Sequence, residues 1–136
     1  MKFLVRAIIE VLGFPQQHVD EIMGKVLEKL GNEQGVVLVR KAAVAAEKVK
    51  QEMFSAFAEV DVELADLGKL NYFCFHYLPS SVEILDVERI ELSSVEFTHY
   101  LNDVLATIHE YNMIVANLRA ENKILKEKMN ASEVMT

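Results

Sequence analysis

Residues 36–64 read VVLVRKAAVAAEKVKQEMFSAFAEVDVEL, and two foldings compete for them. Val36-Val37-Leu38-Val39 follows Gly35 as a short β-branched run, which is a strand signal. From Arg40 to Glu52 the alanines favour helix, and Val39, Ala42, Ala46, Val49 and Met53 recur at helical spacing. From Ser55 to Leu64 the period becomes two. Ala56, Ala58, Val60, Val62 and Leu64 alternate with Ser55, Phe57, Glu59, Asp61 and Glu63, as in a half-buried strand. A helix over 36–57 leads to an all-α bundle. Strands here lead to a mixed fold.

The flanks favour the mixed fold. Phe3, Val5, Ala7, Ile9 and Val11 alternate with Lys2, Leu4, Arg6, Ile8 and Glu10, again with period two. Gly13-Phe14-Pro15 breaks the pattern, and Val19, Ile22, Met23, Val26, Leu27 and Leu30 then trace one helix face over about 15–31. Gly31-Asn32 reads as its C-cap. Downstream, Asp66 caps a helix that runs to about Tyr77, where Leu78-Pro79 stops it. Val82–Leu92 reads as a last extended segment. The order β-α-β-β-α-β predicts a ferredoxin-like α+β domain over residues 1–92. Its helices would bury Val5, Ala7, Ile9, Ala58, Val60 and Val62. Arg6, Ile8, Glu10, Phe57, Glu59 and Asp61 would lie on the other face.

Residues 93–136 form a second expected part, a long helix with a short tail. Ser93-Ser94-Val95-Glu96 has the form of a capping box, and no Gly or Pro follows. Leu101, Ile108, Val115, Asn122 and Met129 repeat every seven residues, as do Phe97, Val104, Tyr111, Leu118 and Leu125. Taken as a and d positions of heptads, they predict a seam for a parallel coiled-coil homodimer. Asn122 at an a position would pair with its symmetry mate and fix the register. Glu121 at g would face Lys126 at e of the partner. Leu105 at e and Ile114 at g widen the stripe upstream, so 94–115 is expected to pack on its own domain or the partner's. Folding back of the helix along its own sheet is the competing expectation.

Composition narrows the classes. The chain has 136 residues, 14 basic against 21 acidic, a net charge of −7 and 51% hydrophobic residues. The acidic balance argues against a nucleic-acid or anionic-membrane binder. The single Cys74 cannot form an internal disulfide and suits a reducing compartment. At the start, Arg6 and Glu10 interrupt any signal-peptide core, and no stretch is long enough to span a bilayer. A cytoplasmic protein is expected.

Candidate chemistry is sparse. Glu59, Asp61 and Glu63 would line one strand face, where carboxylates can do acid–base work or receive a ligand. Arg6 or Arg40 would neutralise them across the sheet, and Arg6 with the three acids forms the ligand-binding set. His99 and Asp103 share a helix face, but nothing completes a metal shell. Cys74 and His76 would point to different sides of a helix. Ser80 and Ser81 lack a nucleophile motif, and there is no glycine-rich phosphate loop. The Tyr72–Tyr77 aromatic cluster is expected in the core or in an interface. No catalytic residue, metal or cofactor is assigned.

At GFPQQHVDE (Gly13–Glu21), FSAFAEVDVEL (Phe54–Leu64) and YLPSSVEILD (Tyr77–Asp86) the chain resembles an uncharacterised family of small archaeal proteins. The resemblance carries no activity. The expected function is a non-catalytic homodimeric regulatory or protein-interaction module that binds itself and a further protein. An ACT-like sensor is the first alternative, taking a small metabolite at the sheet edge or dimer interface. An enzyme using the sheet carboxylates is the second.

Overall fold

Strand β1 (Phe3–Gly13) is the centre around which the first 92 residues assemble. After it come α1 (Gln16–Gly31), β2 (Val36–Lys50), β3 (Met53–Leu64), α2 (Leu67–Tyr77) and β4 (Ser81–Ile84). The computed structural model describes residues 1–135; Thr136 lies outside them. The strands form one antiparallel sheet in the order β2-β3-β1-β4. That is the ferredoxin-like arrangement, with both helices against the same sheet face. A second unit begins at Ser93 and contains α3 (Ser94–Met135).

The period-two pattern sets the core. Val5, Ala7, Ile9, Ala58, Val60 and Val62 are all buried, as the alternation requires. Large residues face small ones across the β1–β3 ladder: Ile9 opposes Ala58, Val11 opposes Ala56, and Val60 opposes Ala7. Val19, Met23, Leu27 and Leu30 of α1 and Phe73 of α2 close the same core. Burying each of these larger side chains contributes about 1.5–3 kcal/mol.

The all-α alternative is excluded, and the helical spacing over 40–52 was misleading. Arg40–Lys50 belong to β2, which pairs with β3 from Val36↔Leu64 to Lys50↔Met53, and Gln51-Glu52 make the turn between them. Alanine's helix propensity is a weak prior, and a long partner strand overrides it. Register shifts interrupt the ladder between Leu38 and Arg40, Val44 and Glu47, and Lys48 and Lys50. At the second one, α1 clamps the backbone. The Gln16 side-chain amide donates to the Ala46 carbonyl at 2.7 Å, and the Ala46 N–H donates to Asp20 Oδ1 at 2.8 Å. Gln16 and Asp20 are four residues apart and so lie on one helix face.

Ends of elements follow local chemistry. Asp66 caps α2 by accepting the Lys69 N–H at 2.8 Å, and Leu78 ends that helix in the left-handed region at φ 46°. Gly31 is the last helical residue of α1; Asn32 follows as cap at φ −103° and donates its side-chain amide to the Glu28 carbonyl at 3.0 Å. The extended segment expected over 82–92 is much shorter. β4 pairs with β1 only from Ile84↔Val5 to Ser81↔Ile8, and one further bond runs from Leu85 N–H to the Leu4 carbonyl at 2.8 Å. Phe3, opposite Asp86, is the end of the partner strand, so residues 87–92 have no ladder to join.

Candidate functional site

The open sheet face carries a row of alternating charge. Arg40 on β2 and Arg6 on β1 are both register partners of Asp61 on β3, and Glu83 on β4 is opposite Arg6. The Arg6 guanidinium donates to Asp61 through Nε at 2.9 Å and Nη2 at 3.2 Å. Arg40 Nε donates to Asp61 Oδ2 at 3.1 Å, and Arg40 Nη2 donates to Glu59 Oε1. Arg6 Nε also lies 3.8 Å from Glu59 Oε1. Asp61 is only 8% exposed beneath these side chains.

Electrostatics follows from the geometry. Hydrogen bonding from Arg6, and then from Arg40, outweighs the cost of burial and holds Asp61 at about 2. Both guanidinium pKa values are raised, chiefly by their hydrogen bonds to Asp61. A carboxylate with so low a proton affinity is a poor general base at neutral pH. The arrangement serves to neutralise buried charge and to lock three strands in register.

The sequence-derived ligand set is thus only partly assembled. Arg6, Glu59 and Asp61 come together, whereas Glu63 turns to Lys2, whose Nζ lies 3.4 Å away. Arg40 completes the cluster. Its arrival depends on the register shift after Leu38, because Val36 and Leu38 oppose the core residues Leu64 and Val62. Without the extra residue, Arg40 would fall on the helix side as well.

The remaining candidates are separate. Cys74 is half-buried, and burial pushes its thiol up. The His76 ring stacks on Tyr72 with centroids 3.9 Å apart, and its Nδ1 lies 3.0 Å from the Tyr72 carbonyl. Ser80 donates its backbone N–H to the Ile8 carbonyl at 2.8 Å. Among the described residues no group of three or more His, Cys, Asp or Glu could hold a metal ion, the His99–Asp103 pair included. Of the aromatic cluster only Phe73 is fully in the core. Tyr77 instead donates its hydroxyl to Glu33 Oε2 at 2.7 Å, which lowers the Glu33 pKa, while burial first and Glu33 second raise that of Tyr77. Lys29 and Lys69 sit over the Tyr77 and Tyr72 rings at 5.7 and 4.7 Å. This contact ties the α1–β2 connection to α2. The sequence held no signal for it beyond the presence of the residue types.

In the second unit, α3 is unbroken from Ser94, and Ser93 Oγ accepts the Glu96 N–H at 3.1 Å, one of the two bonds of a capping box. Its 42 residues span roughly 63 Å. Leu101, Ile108, Tyr111, Val115, Leu118, Leu125 and Met129 are 39–65% exposed, Asn122 is exposed, and Val104 is half-buried. No helix among the described residues is long and apolar enough to cross a membrane.

No curated protein and no solved structure matches the chain. The MJ0538 family, an uncharacterised family named after a Methanocaldococcus protein, matches over residues 4–132. That span begins on β1, takes in every strand and the charged row, and runs almost to the end of α3, so a single family definition covers sheet and seam alike: the chain belongs to the MJ0538 family.

Proposed function

We propose that the protein is a non-catalytic, cytoplasmic homodimeric module for regulation or protein interaction, assembled by pairing α3 in parallel with its copy. One observation carries the reading: a helix of 42 residues presents a heptad seam of large apolar side chains to solvent. Helical stability in proteins comes mostly from a packed apolar face, and a seam of this length calls for a partner. The chemistry of the lower seam favours a second copy. Val115 at a with Leu118 at d, then Asn122 at a with Leu125 at d, is the pattern of parallel two-stranded coils. Glu121 at g and Lys126 at e add an attractive pair on each side. The internal neutralisation of Asp61 supports a role without acid–base chemistry.

Disulfide trapping tests the pairing. In a parallel, in-register coil the two Asn122 positions face each other at a distance that a disulfide spans. The variant Cys74→Ser/Asn122→Cys should form a linked dimer on mild oxidation, whereas Cys74→Ser/Lys123→Cys, on the outer face, should not. Failure of the first variant to link would overturn the parallel pairing. A thermal-shift screen with amino acids and nucleotides addresses the sensor alternative, since a ligand raising the midpoint by several degrees would establish binding.

A further inference from the structure

We infer that the upstream half of α3 seats a second dimer of this chain, so that the assembled protein contains four copies; the inference rests on the parallel pairing proposed above. The two halves of the helix differ at the positions that flank the seam. Downstream, the e and g positions 119, 121, 126 and 128 are all charged: Arg119, Glu121, Lys126 and Lys128. Upstream, the e and g positions hold Thr98, Tyr100, Leu105, Thr107, Asn112 and Ile114, with no charge among them. Leu105 and Ile114 are 60% and 46% exposed. From Ser94 to Val115 there is no Lys or Arg, and every acidic residue is at a c position, namely Glu96, Asp103 and Glu110; His99 and His109 are also off the flanks, at f and b. The uncharged stripe therefore covers g, d, a and e, and Leu105 and Ile114 widen its apolar part beyond what one partner helix buries.

The seam itself changes in the same direction. The Val-then-Leu order of Val115 and Leu118 is reversed at Leu101 and Val104, where Leu occupies a and a β-branched residue occupies d. That order shifts preference from two strands towards three or four. The reversed pair lies within the stretch of uncharged flanks, and Ile108 after it again places a β-branched residue at a. A pair of dimers meeting through this half closes with dihedral symmetry, a common form for tetramers.

Sedimentation equilibrium of the full chain, alone and with Leu105→Lys/Ile114→Glu, tests the inference. In the parallel dimer Glu at 114 would face Arg119 of the partner, so the variant keeps the dimer while charging the outer flank. The expected result is a mass of four 15.4 kDa chains for the wild type, halved to two in the variant, with the circular dichroism spectrum unchanged. A wild-type mass of two chains would overturn the tetramer and leave the dimer standing. A variant that still holds four chains would show that these flanks are not the seat. A wild-type mass of one chain would overturn both readings.

Discussion

Replacing Asp61 with Asn removes one charge and keeps the side chain's shape, and its cost should depend on pH. The folded carboxyl titrates at about 2 against an ordinary 3.8. A unit of pKa corresponds to about 1.4 kcal/mol, but solvent screening discounts this, because the Arg6 and Arg40 side chains are 41% exposed. A contribution of about 1–2 kcal/mol remains, and it already includes the hydrogen bonds from Arg6 and Arg40. The variant leaves two guanidiniums side by side without the carboxylate that accepts three of their hydrogen bonds. At pH 7 the expected loss is therefore about 1–2 kcal/mol, or a fall in melting temperature of roughly 4–16 °C for a unit of this size.

The sign follows from the direction of the shift. A group whose folded pKa is depressed contributes fully above its unfolded value and loses that contribution as pH falls through the folded one. The gap between wild type and Asp61→Asn should be constant from pH 7 to about 5, narrow below pH 4, and nearly close at pH 2. Urea denaturation followed by far-UV circular dichroism, at fixed protein concentration across that range, measures it. A gap that stays the same from pH 5 to pH 2 would refute the ion-pair account, and a gap near zero at pH 7 would show that the cluster contributes nothing.

Three further substitutions test local readings. Asp20→Ala removes the acceptor of the buried Ala46 N–H and should cost about 1–3 kcal/mol, with faster hydrogen exchange at that amide; exchange as slow as in the wild type would mean that the clamp is idle. Gly35 has φ 79°, and a Cβ there would come within 2.7 Å of Lys69 Cε, so Gly35→Ala should lower stability by about 1–2 kcal/mol in a thermal melt. Leu78→Gly should do the opposite: the side chain is exposed, its φ of 46° suits glycine, and release of that strain should stabilise by about 0.5–1 kcal/mol, which an unchanged or lower melting temperature would contradict.

What the sequence revealed and what it hid divide along a physical line. Period-two alternation in β1 and β3 was legible because burial on one face is imposed residue by residue along the strand itself. Asp66 and Ser93 were legible for the same reason, since a cap acts within three residues. The strand state of Arg40–Lys50 was not, because it rests on a ladder to β3 and on Gln16 and Asp20, which lie 30 and 26 residues before Ala46. The double role of Asp61 was hidden in the same way. Arg6 reaches it by simple register, but Arg40 does so only because one extra residue after Leu38 turns its side chain to the open face. A bulge leaves little local trace in composition, and a shift of one residue inverts every side chain beyond it.

The same distinction bears on where function resides. In the first unit the buried polar groups are matched internally: Glu59, Asp61 and Glu63 meet Arg6, Arg40 and Lys2, Tyr77 meets Glu33, and no buried side-chain nitrogen or oxygen among the described residues lacks a partner. In this unit, recruiting Asp61 for chemistry would require dismantling the contacts that hold three strands in register. The helix of the second unit is the reverse case, with its cap satisfied and its apolar seam exposed. Free energy gained on binding comes from surface not yet satisfied, and here that surface is apolar, linear and heptad-spaced. In the proposed pairing the spacing of Leu118, Asn122 and Leu125 sets the register, because a one-residue slip in the seam would misplace every knob at once.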